Sequence, residues 1–161
     1  MLEQFQTSIS TYARQFIVPE AWIKAVILQE SSGNPKAFRA EPKINDASYG
    51  LMQLLYRTAK GLGYTGAAEG LYDPDVNIQL GTKLLGQLRR QYGDNFERVY
   101  SAYNSGSPDK YLTSTQVADH VGKAVAWLTR VIEAEPLVAT SGAIGVLILL
   151  ILLWHWRGGK K

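Results

Sequence analysis

Along the first 136 positions apolar residues recur at the spacing of helices rather than strands. Phe5, Ile9, Tyr12 and Phe16 form one stripe and predict a helix over about Glu3–Phe16. Ile23, Val26 and Ile27 form a second. Pro19 fits the first position of that helix, and Gly33, Asn34 and Pro35 stop it after about Ser31. A third helix is expected from near Gly50 to Gly61. A fourth, capped by Asp75, runs from Val76 to Tyr92 with Gly93 at its end. A short fifth covers Phe96 to Tyr103, and Thr113 with Gln116 has capping-box spacing for a last helix reaching about Glu133. Residues 36–48 read as an irregular segment with a turn or short ribbon. No strand pattern is convincing and no internal repeat is visible, so the expected fold class is mainly α.

The pattern changes at Glu135-Pro136. Leu137 to Trp156 contains no Asp, Glu, Lys or Arg over twenty residues. At ~1.5 Å rise per residue this spans a hydrocarbon core of ~30 Å. A buried core helix is the alternative, but Ile144 to Leu153 is apolar on every face, and so small a domain cannot surround it. The division is therefore a helical domain at 1–136, one C-terminal transmembrane helix at 137–156 that places a lipid bilayer among the partners, and a short basic tail at 157–161. Trp154 and Trp156 suit an interfacial belt, and the tail belongs on the cytoplasmic side, or inside a virion. The first residues show no basic stretch followed by an apolar run, so no export signal is visible. Either another route carries the domain across, or the membrane is not an ordinary plasma membrane. Ser141 and Gly145 form a small-xxx-small pair, which leaves self-association open.

Composition narrows the chemistry. There is no cysteine, which excludes disulfides, thiolate metal sites and a catalytic thiol. His120 and His155 lie far apart, so neither a metal centre nor another cofactor is expected. The first 136 residues carry equal numbers of acidic and basic side chains. The whole excess of +3 resides in Arg157, Lys160 and Lys161. A neutral domain is not built to hold a phosphate backbone, and no specific nucleic-acid partner is expected.

One carboxylate breaks the pattern. The next position on the second stripe, after Ile23, Val26 and Ile27, is Glu30. A carboxyl group on a buried face favours its neutral form, and the negative end of the helix dipole acts in the same direction. Such a group suits general acid catalysis. It could equally pair with an arginine such as Arg39, or turn out to solvent at the helix end. Gly50, Met52 and Gln53, placed across from Glu30, would line a groove with an adaptable apolar side chain and an amide. Tyr103 and Asn104 add a phenol and a second amide beside a turn. Amides, hydroxyls and aromatic faces without net charge suit a sugar.

The segments ILQESSGNP at 27–35, SYGLMQL at 48–54, LYDP at 71–74 with Asn77, Ile78 and Gly81, and AYNSG at 102–106 carry a resemblance. In order and spacing they resemble the soluble-lytic-transglycosylase family of peptidoglycan-cleaving enzymes, related to goose-type lysozyme, over roughly residues 18–130. The resemblance implies a lysozyme-like helical fold with a long cleft for peptidoglycan glycan strands. It implies that one Glu suffices, matched here by Glu30. That group protonates the glycosidic oxygen between N-acetylmuramic acid and N-acetylglucosamine, then takes the proton of the muramyl 6-hydroxyl as this attacks the anomeric carbon. A 1,6-anhydro sugar results and no water is consumed. Met52, Gln53, Tyr103 and Asn104 match residues that hold the saccharide. Ser48 is the candidate for the serine that orients the Glu in some members.

An ordinary glycosidase uses two carboxyl groups. Asp46, Asp73, Asp75 and Asp109 sit in turns or caps, where Asp has local reasons to be, and none stands out as a partner for Glu30. The stretch between Glu30 and Gln53 is longer than in many relatives and holds Arg39, Glu41 and Asp46, which either pair structurally or adjust Glu30. The alternatives are a muramidase that uses Glu30 with water, and an idle wall-binding protein. A minimal enzyme joined to an anchor suits a bacteriophage virion with a lipid membrane, opening the wall for genome entry. A cell-encoded enzyme that clears the wall for an envelope-spanning assembly is the other setting.

Overall fold

The computed structural model describes residues 2–134. The expected transmembrane helix at 137–156 and the tail at 157–161 lie outside the described residues. Among those described, no helix is long and apolar enough to cross a membrane.

Among the described residues, six α-helices and one small sheet make the fold. A 3₁₀ turn at Glu3–Phe5 leads into α1 (Gln6–Phe16), followed by α2 (Glu20–Ser31). Three strands follow, β1 (Phe38–Glu41), β2 (Asp46–Tyr49) and β3 (Leu54–Leu55), then α3 (Tyr56–Gly61), α4 (Pro74–Tyr92), α5 (Phe96–Ser105) and α6 (Thr115–Ala134). The strands form an antiparallel sheet in the order β1-β2-β3, with Arg39 opposite Ser48 and Ser48 opposite Leu55.

The short ribbon allowed for at 36–48 is present as β1 and β2, while residues 50–55 are corrected by the sheet. Its strands are two to four residues long, too short to show an alternating pattern. The third helix does not begin near Gly50. Gly50 has φ +72° and Gln53 φ +46°, and the left-handed backbone at these two positions makes residues 50–53 a turn that delays the helix to Tyr56. A Cβ on Gly50 would come within 2.5 Å of both the Asn77 amide and the Leu71 carbonyl. Only glycine fits there.

Two caps also differ from expectation. Asp73, not Asp75, caps α4, its carboxylate accepting from the Asp75 and Val76 N–H groups, while Pro74 takes the first helical position. Asp75 is thereby free to accept from Ser8 at 2.7 Å and Tyr12 at 2.6 Å, tying α4 to α1. At α6 the Thr113 hydroxyl turns back to the Lys110 carbonyl, and Ser114 Oγ accepts from the Val117 N–H.

The core has two parts. In the larger, α2 is central. Ile23, Ala25, Val26 and Ile27 are fully buried, and α2 packs mainly on α6 and next on α1. The smaller part gathers Leu54, Ala59, Leu62, Leu71 and Leu80 beneath the sheet. Tyr103 packs against both parts. Asn77, buried on α4, holds the turn at 50–53 to the helices. Its Nδ2 donates to the Tyr49 and Leu71 carbonyls, and its Oδ1 accepts from the Met52 N–H, each at 2.8 Å.

Asn77→Ala leaves one buried N–H and two buried carbonyls without these partners. Denaturant unfolding is expected to show a loss of about 3 kcal/mol or more.

Candidate active site

Glu30 lies in the last turn of α2, and its side chain is only 6% exposed. The backbone fixes it there. Ser32 and Gly33 turn left-handed and end the helix, and the Ser31 hydroxyl donates to the Leu51 carbonyl at 2.7 Å, tying that end to the 50–53 turn. Neither alternative read for Glu30 occurs. It does not turn out to solvent, and Arg39 pairs instead with Glu41 at 2.6 Å. The Glu30 carboxyl accepts from the Tyr100 hydroxyl at 2.5 Å, and His120 Nε2 stands 3.7 Å from the same oxygen.

Glu30 opens onto a half-open cleft of about 200 Å³ where the two parts of the core meet. Ser48, Gln53, Tyr103 and Asn104 line it together with Glu30. Ser48 is 2% exposed, and no hydrogen bond joins it to Glu30 among the described residues. Gln53 uses its amide nitrogen on the Ala37 and Gly50 carbonyls, which holds the turn against β1. Tyr103 donates to the Met52 carbonyl at 2.7 Å, while Asn104 is exposed.

Met52 departs from its expected place. Its side chain is fully buried over Gly81, where a Cβ would meet the sulfur at 2.4 Å, so it lies beneath the cleft rather than along it. The cause is the turn: with no helix at 50–53, Met52 points into the core, and its backbone C=O and N–H serve Tyr103 and Asn77.

Two residues beside Glu30, Tyr100 and His120, were not singled out from the sequence as site residues. Tyr100 and Tyr103, three apart on α5, share a face, and both are pushed well above the ordinary tyrosine range, by burial first and then by the nearby Glu30 charge. A search for further side chains one helical turn before the AYN segment would have reached Tyr100. For His120 no local signal existed, because α6 reaches Glu30 only through its packing on α2. Glu41, a second carboxyl group on the cleft wall, is neutralised by Arg39. Asp46 is no partner for Glu30 either. It accepts from the Ala47 and Arg57 N–H groups and pairs with the Arg57 guanidinium at 3.0 Å.

A family model described as "Transglycosylase SLT domain" matches residues 7–120. The chain is 35% identical over 155 residues to the soluble lytic murein transglycosylase of Escherichia coli K12, covering 89% of this chain and 22% of that protein. It is 35% identical over 104 residues to the "Transglycosylase" of Enterobacteria phage PRD1, covering 65% of this chain and 36% of that protein. In fold it is similar to an inactive mutant of the lytic transglycosylase Slt from Pseudomonas aeruginosa, with a TM-score of 0.69 at 23% identity over 78% of this chain and 23% of that one. The architecture is thus that of a mainly helical, lysozyme-like domain. The chain belongs to the SLT transglycosylase domain family, and spans 22% and 36% of the two relatives' lengths.

Burial raises the Asp46 carboxyl, but the hydrogen bonds from Ala47 and Arg57 outweigh it and hold the group below its ordinary value. A depressed carboxyl stabilises the fold above its unfolded value and loses that contribution as pH falls through the folded one. The melting-temperature gap between the parent and Asp46→Asn is therefore expected to hold at neutral pH and close below about pH 4.

Proposed function

We propose that the chain is a peptidoglycan lytic transglycosylase, cleaving the β-1,4 bond between N-acetylmuramic acid and N-acetylglucosamine with formation of a 1,6-anhydromuramyl end. The observation that carries this reading is a buried carboxyl group, Glu30, at the wall of a cleft in an SLT domain. Glu30 donates its proton to the glycosidic oxygen as the bond to the anomeric carbon breaks. The resulting carboxylate then takes the proton of the muramyl 6-hydroxyl as that oxygen attacks the same carbon. Ser48, Gln53, Tyr103 and Asn104 hold the sugar on either side. Met52 acts from below, by fixing Tyr103 through its carbonyl.

A hydrolytic muramidase is the second reading, and Glu41 favours it as a second carboxyl group on the cleft wall. Its ion pair with Arg39 argues against a free base for water.

The same reading places the enzyme on a membrane through residues 137–156, in a phage particle with a lipid bilayer, where it opens the cell wall locally for genome entry. The apolar run and the resemblance to the phage PRD1 protein support this setting. A cell-encoded enzyme of an envelope-spanning assembly would instead be found in envelopes of uninfected cells.

Glu30→Gln is expected to lower the release of soluble fragments from purified murein sacculi by at least about a thousandfold, with an unchanged melting temperature. Glu41→Gln is expected to retain activity within about tenfold, because Glu41 takes no proton in the lyase. Retained activity in the Glu30 variant would overturn the assignment, and loss in the Glu41 variant would favour the muramidase.

A further inference from the structure

Three helices bring Gln29 and Glu30 of α2, Tyr100 of α5 and His120 of α6 into one group. Among the described residues, the polar contacts of the Glu30 carboxyl fall on one oxygen, Oε1. The Tyr100 hydroxyl donates to it at 2.5 Å, and His120 Nε2 lies 3.7 Å away. That Nε2 is buried and has no hydrogen-bond partner. On the other side of the ring, Nδ1 is 3.3 Å from the Gln29 amide nitrogen. An amide nitrogen only donates, so Nδ1 accepts, and the neutral ring carries its proton on Nε2, facing Glu30. The rings cannot easily turn away. Tyr100 stacks on Phe96 at 5.8 Å and on His120 at 5.9 Å, with interplanar angles of 11° and 13°.

Resting on the proposed role of Glu30, we infer that Tyr100 and His120 are positioning residues whose O–H and Nε2–H both aim at Oε1, so that the transferable proton of Glu30 resides on Oε2. When that proton passes to the glycosidic oxygen, the new carboxylate keeps two donors on Oε1, and the 3.7 Å gap to His120 closes as the charge develops. Oε2 is then the base that takes the proton of the muramyl 6-hydroxyl. The groups facing Glu30 are Tyr100 and Tyr103 from α5 and His120 from α6. Arg39 and Glu41 lie on the β1 wall of the same cleft. Donors on Oε1 stabilise the charge that develops there as the proton leaves, so removing one slows the transfer.

The test uses the full chain and three variants, with Glu30→Gln to identify the Glu30 carboxyl signal. Tyr100→Phe keeps the stacked ring and deletes only the hydroxyl. His120→Leu removes the second donor, and His120→Gln returns an N–H near the position of Nε2. In the parent, ring ¹⁵N spectra are expected to show His120 protonated on Nε2. At a fixed pH the Glu30 carboxyl ¹³C resonance is expected to move from its parent position in Tyr100→Phe, which deletes the hydrogen bond to Oε1. In turnover, kcat falls about tenfold or more in Tyr100→Phe and His120→Leu at unchanged KM, and His120→Gln recovers most of the loss. A neutral ring protonated on Nδ1, or a Glu30 carboxyl resonance indifferent to Tyr100→Phe, overturns the inference. The two spectroscopic results need no turnover, so a parent inactive on murein would refute the proposed function while these still decide the arrangement around Glu30.

Discussion

A carboxyl group withdrawn from water has to be given hydrogen-bond donors, or the helix that carries it will not stay buried. Glu30, 6% exposed at the end of α2, imposes that condition on this fold. Tyr100 of α5 donates to it directly, and the buried Nε2 of His120 on α6 stands 3.7 Å from the same oxygen. Because α2 is the centre of the larger core and packs against α6, the same apolar contacts that stabilise the domain also set the distance between the acid and its partners. Site and core cannot be altered independently.

The opposite wall is held by hydrogen bonds as well as by the burial of Leu51 and Met52. Residues 50–53 form a turn that needs glycine at Gly50, because the Asn77 amide and the Leu71 carbonyl occupy the space of a side chain. Asn77 fills its own hydrogen-bonding capacity on that wall through Tyr49, Leu71 and Met52. Tyr103 then reaches across to the Met52 carbonyl, joining α5 to the turn at the base of the cleft. A glycan would therefore meet two surfaces whose separation is fixed by hydrogen bonds beneath them.

The helices were legible because each buries one stripe, and the stripe of α2 led directly to Glu30 as its misplaced member. The cleft wall was not. Three strands of two to four residues are shorter than the period from which a strand can be read, so residues 50–53 passed for the first turn of a helix, and with that error Met52 was placed along the groove instead of under it. Gly50 was the available sign, since a glycine before an apolar run opens a turn as readily as a helix. Asp73 and Asp75 are two residues apart, and either could cap α4. The choice is settled by Tyr12 and Ser8, 63 and 67 positions from Asp75 along the chain. His120 was invisible for the same reason, being 90 residues from Glu30.

In the proposed reaction one carboxyl group gives a proton and takes one back, with the sugar's own hydroxyl as nucleophile. Digesting purified murein in ¹⁸O-enriched water and weighing the new muramyl ends tests this most directly. Anhydro ends that carry no heavy oxygen are expected. Reducing ends labelled at the anomeric position would show that water, not the 6-hydroxyl, attacks, and would contradict the proposed reaction.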